Sequence, residues 1–579
     1  MRVTLEERPW YQLTTHFFRG LFDFGMLSNA GSDTFRRALL GIVGVMVSLG
    51  LFLARMYLKK YSVLSEKYAD WATSTQTNQV PYQLAVLGDG ALTIALPMLI
   101  VGFVVVLVSN SLFPDQIDCR VLLPLSVSRR VLFATKALAV LLFAAVFAIA
   151  GQVAMMPLVV LMWNSRWAEE GLLARLMAHG VASLGASIVT ALGIIAVAGA
   201  LLICVPRSRL QAASIAFRGA ALCGLVLSIP LAWRLPTTGA LIASESRLFY
   251  LVPPAWFLGV EQLLSGKGTP YFLRLAQIAG AAAVVSFVVA LGSYVFLYHQ
   301  LERVIFRPVH GSDPSRRQGI PLLRYLRRRR PDAAAIGPFI RATLARSPLH
   351  QGVFVIIAAF GAGLALNSFA SNWQAVASSP ADGSLRTTVI WAPFTLVFAT
   401  NVAVRAALVL PIELRANWIF RMTEDEATRA GELGAVVRTL ILLGVVLPLA
   451  LLFPVEWAVL GAQAIHCTSI AFLCGLVLVE LQMAEWRRIP FTCSYEPSRQ
   501  FVGLTMIIGA TAFGLFIVIG SRLVRYSISH PAGWVAVMTI AGVVVLLLRR
   551  QRLWLARRAA LMFEDVLPNE VEPLRLSEY

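Results

Sequence analysis

The feature that most restricts the fold of this chain is a succession of apolar stretches that fills most of its 579 residues. Each is long enough to cross a bilayer as a helix, which takes about 20 apolar residues. Only α-helices and closed barrels satisfy their backbone hydrogen bonds inside hydrocarbon. Charged residues make up 14% of the chain, whereas about a quarter of a soluble domain is charged. We therefore predict an all-α polytopic membrane protein.

The apolar stretches predict about 12 transmembrane helices, arranged as two parallel six-helix halves. The first six lie near residues 38–54, 91–108, 137–161, 181–204, 216–232 and 278–298. The second six lie near residues 352–369, 389–410, 440–459, 462–483, 502–519 and 534–548. With the N-terminus in the cytoplasm, most of the 50 Lys and Arg residues fall on the cytoplasmic side. Basic residues mark cytoplasmic loops, so both termini are predicted to be cytoplasmic.

The order of polar and apolar segments predicts five regions. Residues 9–24 are amphipathic, with Trp10 and Phe17 on the apolar face, which is typical of a helix lying in the membrane interface. A shorter segment of the same kind covers residues 339–349. The regions are an N-terminal cytoplasmic interfacial helix (1–37), the first half (38–298), an Arg- and Pro-rich cytoplasmic linker with the second interfacial helix (299–350), the second half (351–548) and a cytoplasmic tail (549–579).

The cytoplasmic loops after the second and eighth predicted spans are candidate contacts for a soluble partner. Each begins with a proline, Pro114 or Pro411, followed within two residues by an acidic residue, and runs into a helix. Thr423 and Glu426 have the spacing of a capping box. An ordinary capped helix start is the alternative interpretation of both loops. The candidate coupling residues are Asp115, Asp118, Arg120, Arg129, Arg130, Glu413, Arg415, Arg421, Glu424 and Glu426.

Two further sets of residues are candidates for a transport path. The outer segment before the sixth span is apolar but interrupted by proline, so it predicts a re-entrant or interfacial helix that serves either as an outer gate or as part of an interfacial belt. Ionisable residues within spans suggest function, although positions near helix ends favour a structural role. The gate candidates are Pro253, Pro254, Trp256 and Phe257, and the intramembrane polar candidates are Asn401, Arg405, His466 and Glu480.

Several classes of function lack their sequence signals. Gly266-Lys267 lacks the preceding glycine of a phosphate-binding loop, and no cysteine or histidine spacing is typical of zinc. We therefore expect no catalytic residues, no metal and no cofactor bound by this chain. The net charge of +19 is explained by topology and by contact with anionic membrane lipids, without nucleic acid.

In these features the chain resembles the permease subunits of ATP-binding-cassette exporters of the drug- and polysaccharide-export type. The stretch from Asp118 to Lys136 is similar to their coupling region, and residues 489–495 are similar to a segment of large bacterial membrane proteins of this sort. The resemblance implies a transport component in a bacterial inner membrane, without enzyme activity of its own. It also implies a cytoplasmic ATPase dimer that carries ATP and magnesium. The short connection at residues 521–531 departs from the family pattern.

Three other functions remain open from the sequence. The first is a membrane-embedded transferase acting on a lipid-linked substrate, with Glu66, Asp70 and Asp89 of the first outer loop as available acids. The second is an ion-coupled carrier, which the lack of charged residues at mid-membrane disfavours. The third is a scaffold that anchors an ATPase at the membrane without transporting anything.

Overall fold

A computed structural model describes the chain over most of its length. The described residues are 9–21, 44, 47–64, 66, 81–114, 118, 122, 128–163, 170–305, 333–378, 383–412, 417–423, 426–484, 486–493, 502–558 and 561–562. They contain no strand, and 11 of their helices are long and apolar enough to cross a membrane. These helices match the second to twelfth predicted spans, which confirms the all-α polytopic class. Residues 38–43, 45 and 46 of the first predicted span lie outside the described residues, and residues 47–64 are helical.

The chain divides into two compact units, Met1–His310 and Gly311–Tyr579. The division falls inside the predicted linker, most of which lies outside the described residues. The helices of unit 1 are α1 (Pro9–Gly20), α2 (residues 47–64), α3 (Pro81–Leu107), α4 (Arg129–Met162), α5 (Leu172–Cys204), α6 (Arg207–Arg234), α7 (Gly239–Ala243), α8 (Pro253–Leu264) and α9 (Pro270–Ile305).

Helix α3 forms the centre of unit 1. It is apolar on every side, and 67% of its span is buried, the largest share for any span in this unit. It packs against α4, α5, α6 and α8, as expected of a helix without a polar face.

Helix α4 runs between two ends of the unit. Its first turns pack against α1, and its last residue, Met162, accepts a hydrogen bond from Tyr82 near the start of α3. We call the end at the first turns of α4 the α1 end. We call the end at Met162 the α8 end, because α8 and the turn after it contact His179 and Glu170 there.

Helices α2 and α4 approach each other closely at a glycine. A Cβ added to Gly50 would lie 2.2 Å from the carbonyl oxygen of Ala154. Small residues allow this kind of backbone approach between helices in membranes.

Gly50→Ala is therefore expected to lower the stability of unit 1 by about 1–3 kcal/mol, because the two helices must move apart. Gly44→Ala is the matched control, since nothing lies within 4 Å of a Cβ there. Thermal unfolding in detergent would check the difference. Equal unfolding temperatures for the two variants would contradict the contact.

Unit 2 contains a π-helical segment. Its elements are α10 (Ala333–Arg346), α11 (Pro348–Ser378), α12 (Gly383–Val409), α13 (Asn417–Thr423), α14 (Glu426–Thr439), the π segment (Leu440–Val446), α15 (Leu447–Leu460), α16 (Gln463–Met483), α17 (Val502–Ser529) and α18 (Pro531–Arg558). Helix α15 passes into α16 through a tight turn at Gly461, whose φ is +57°. Helix α17 passes almost directly into α18, so this connection has no counterpart of α8.

Candidate functional site

The loop after the second predicted span is tied to the interfacial helix at the α1 end of unit 1. Lys136 on α4 places its Nζ 3.2 Å from Oδ2 of Asp118. The same ammonium lies 4.5 Å from the centre of the Phe17 ring on α1, a geometry in which cation and ring attract each other. Phe17 is 3% exposed and packs with Leu132 and Phe133 of α4. Lys136 therefore joins the loop, α4 and α1.

The other predicted coupling residues are described only in part. Arg129 and Arg130 are exposed in the first turn of α4, and Ser128 caps this helix by accepting a hydrogen bond from the Val131 N–H. The backbones of Arg421 and Glu426 lie on α13 and α14, but their side chains are outside the description. The predicted contacts that lie outside the described residues altogether are Asp115, Arg120, Glu413, Arg415 and Glu424.

In unit 2 the corresponding loop is anchored to the segment that follows α16. The N–H of Phe491 donates to Leu408 O at 3.1 Å, and the N–H of Ile412 donates to Phe491 O at 3.2 Å. The Asn417 side-chain amide at the start of α13 donates to Thr492 O at 2.6 Å. The start of the loop and α13 are therefore held by neighbouring residues of one short segment, which belongs to the 489–495 motif singled out from the sequence.

The predicted outer segment is a helix that packs into unit 1. Helix α8 begins with Pro253 and Pro254, which suit a first helical turn because neither has an N–H to satisfy. Phe257 is buried, and the indole N–H of Trp256 donates to Tyr250 O at 2.9 Å. A helix here confirms the prediction of a short helix at this position. Its role as a gate stays a prediction.

A network of buried charges fixes α8 to α5. Glu261 on α8 is 1% exposed, and its Oε2 lies 3.0 Å from Nδ1 of His179. Arg175 lies 3.9 Å from the other oxygen of Glu261 and 2.8 Å from Glu170. Glu170 is also 2.8 Å from Lys267, in the turn after α8. Buried charges persist in proteins when they are paired in this way.

The charges of this network offset the effect of burial on its two acids. Burial by itself raises the pKa of Glu261, but His179 and Arg175 outweigh it and hold that pKa below its ordinary value. Burial likewise acts against ionisation of Glu170, and Lys267 and Arg175 lower its pKa overall. Both carboxylates are therefore ionised at neutral pH, and each needs its basic partners.

A stripe of polar groups continues along α5 from this network. His179, Ser183 and Ser187 are spaced four residues apart, on one helix face, and each is fully buried. Nε2 of His179 and both serine Oγ atoms have no hydrogen-bond partner among the described residues. Buried polar atoms without partners are rare in folded proteins, so this stripe is an unusual feature of the interior of unit 1.

The position predicted for Asp89 is wrong. The sequence predicts an available acid in the first outer loop, but Asp89 lies inside α3 and is fully buried. Lys60 of α2 contacts both of its oxygens, at 2.8 and 2.6 Å. The hydroxyls of Tyr57 and Tyr61 donate to the same carboxylate at 3.0 and 2.7 Å. Asp89 therefore holds α2 against α3. Glu66 is exposed, and Asp70 lies outside the described residues.

The four intramembrane candidates of unit 2 make local structural contacts. The Asn401 amide donates at 2.9 Å to Gly444 O in the π segment. Arg405 lies 5.9 Å from the Trp486 ring, and His466 packs its ring 5.3 Å from that of Trp534. Glu480, for which the sequence indicates no partner, forms a buried two-point ion pair with Arg552 of α18, at 2.6 and 3.3 Å.

No protein-family model, curated protein or solved structure matches this chain.

Proposed function

We propose that this protein is the membrane-spanning permease of an ATP-driven exporter and works with a separate cytoplasmic ATPase dimer. The observation that carries the proposal is the contact of Asp118, Lys136 and Phe17. It connects the loop after the second span to an interfacial helix, in the first half of the chain. A loop that receives force from a soluble partner needs such a connection, because otherwise its movement would not reach the membrane helices.

Helix α4 supplies the path between the two ends of unit 1. Its 34 residues extend about 50 Å as a helix. Lys136 lies in its second turn at the α1 end, and its last residue bonds to Tyr82 at the α8 end. A displacement of the first turns by the ATPase would therefore move the start of α3, against which α8 packs. In this mechanism α8 is the outer gate.

The remaining parts of the proposal follow from the orientation and the family resemblance. The protein lies in a bacterial inner membrane with both termini in the cytoplasm. Basic residues of the linker and tail contact anionic lipids. ATP and magnesium are bound by the partner. A transferase using Asp89 is not supported, because that carboxylate is buried and occupied by Lys60, Tyr57 and Tyr61.

The test is to purify the chain from native membranes in mild detergent and to identify co-purifying proteins by mass spectrometry. A stoichiometric subunit with nucleotide-binding motifs is expected, and its ATPase activity in nanodiscs should depend on this chain. If cross-linked membranes yield the chain without any such subunit, the permease proposal is wrong.

Asp118→Arg is expected to reduce the ATPase activity that depends on this chain by about tenfold, since a partly buried charge-assisted hydrogen bond is lost. The exchange Asp118→Lys with Lys136→Asp separates two roles for Asp118. Recovery would show that the internal pair transmits the movement, whereas continued loss would show that the pair alone is not sufficient, because the exchange also removes the ammonium from the Phe17 ring. Glu245→Arg, at an exposed position of unit 1, is the control for adding a positive charge. Full activity of Asp118→Arg would contradict the coupling role.

A further inference from the structure

A groove with basic and apolar walls lies at the α8 end of unit 1. It runs between α2, Ala85 of α3 and the turn at Pro236, and its volume is about 720 Å³, in the range of small-molecule sites. Its lining residues are Phe52, Arg55, Met56, Lys59, Lys60, Val63, Leu64, Ala85 and Pro236.

The back wall of this groove is closely packed. A Cβ added to Gly88 of α3 would lie 2.7 Å from the carbonyl oxygens of Leu235 and Pro236, and one added to Gly239 would lie 1.8 Å from Leu84 O. The turn therefore sits directly on the α3 backbone. On the other side, the contacts of Asp89 with Lys60 and the two tyrosines hold α2 in place. The groove is thus preformed, which lowers the entropic cost of binding.

The groove carries more positive than negative charge. Of its three basic residues, only Lys60 has an acidic partner among the described residues, because its ammonium contacts both oxygens of Asp89. Arg55 and Lys59 are exposed, and no carboxylate of the described residues forms an ion pair with either. The two side chains lie one helical turn apart on the same face. Two adjacent cations without an acid form a site for an anion, and Arg suits phosphate oxygens in particular.

The apolar wall indicates that the anion belongs to a lipid. Phe52 and Met56 are 61% and 52% exposed, and both line the groove beside the cations: Phe52 lies one turn before Arg55 on α2, and Met56 lies between Arg55 and Lys59 in the chain. A free phosphate would leave these surfaces unused, whereas an acyl chain would cover them.

We propose that this groove binds one anionic phospholipid, with its phosphate between Arg55 and Lys59 and an acyl chain along Phe52 and Met56. The bound lipid fills the space between α2 and the turn at Pro236. This inference is independent of the proposed transport activity, because it concerns lipid retention alone.

The experiment is native mass spectrometry of the protein released from nanodiscs that contain equal parts of phosphatidylglycerol and phosphatidylcholine. The wild-type chain is expected to retain one phosphatidylglycerol in preference to phosphatidylcholine. In Arg55→Gln with Lys59→Gln this preference should fall at least about tenfold, because each of the two basic residues contributes about fivefold to the affinity for an anionic lipid. Met56→Trp should reduce retention while leaving both cations in place.

Arg247→Gln with Arg274→Gln is the matched control, since both arginines are exposed in unit 1 outside this groove. It removes the same charge and should retain the lipid. Three results would overturn the proposal: equal retention of the two lipids by the wild type, unchanged preference in the Arg55 and Lys59 variant, or equal loss in the control. Displacement of phosphatidylglycerol by inorganic phosphate alone would assign the groove to a soluble anion and would also overturn it.

Discussion

Replacing Glu480 with alanine is expected to destabilise unit 2 by about 3–5 kcal/mol. The change leaves the Arg552 guanidinium buried without its carboxylate, since the two side chains are only 6% and 7% exposed. No other acid of the described residues forms an ion pair with Arg552. A cation left unpaired in a buried position costs more than the net contribution of the pair itself. The loss should be measured as a lower unfolding temperature in detergent.

Replacing both partners separates the pair from its surroundings. Glu480→Leu with Arg552→Met removes both charges and keeps most of the side-chain volume, so it should recover most of the stability that the single change loses. Arg550→Met, two residues away, is the control for losing a basic residue of α18. A double variant as unstable as Glu480→Ala would mean that the charges are not the cause of the loss.

Asp89→Ala is expected to destabilise unit 1 by about 3 kcal/mol. It removes the acceptor for the hydroxyls of Tyr57 and Tyr61 and leaves the Lys60 ammonium without a partner. The ammonium side chain is 35% exposed, so water offsets part of its loss. The tyrosine hydroxyls are buried and have no such compensation. Unfolding should begin with separation of α2 from α3, which protease cleavage between the two helices would detect.

Lys60→Met in the Asp89→Ala background tests this explanation. The double variant should recover about half of the loss, because the unpaired charge is gone while the tyrosine hydroxyls still lack an acceptor. Glu66→Ala, an exposed acid at the end of the same region, should leave the unfolding temperature unchanged. A fully stable Asp89→Ala variant would show that the four-residue cluster does not hold α2 in place.

The helices of this protein were predictable because each is specified locally. Continuous apolar runs gave the spans, and Pro253-Pro254 after an apolar segment gave α8. The start of α3 was not predictable in the same way. Gly88, Asp89 and Gly90 have the composition of a loop, and nothing near them in the sequence indicates that Asp89 is neutralised. The predicted span therefore began at Ala91, while the helix begins at Pro81.

The charged clusters were missed because their partners are distant in sequence. Lys60 and Asp89 are separated by 29 residues, His179 and Glu261 by 82, and Glu480 and Arg552 by 72. Pairing over such distances is decided by how the helices pack, which a single sequence does not specify. Glu480 and Arg552 thus had separate interpretations, one as a residue near a helix end and the other as a topology signal.

The π segment between α14 and α15 has a mechanical consequence. It winds more residues into each turn than an α-helix does, and its Gly444 carbonyl accepts hydrogen bonds from Thr400 and Asn401 of the neighbouring helix. If those two donors moved away, the surplus residue could migrate along the helix. Each residue that the π segment passed would turn by about 100° about the helix axis, while the helix beyond it would keep its orientation. The hydrogen bonds from Thr400 and Asn401 therefore fix the position of the surplus residue in this helix.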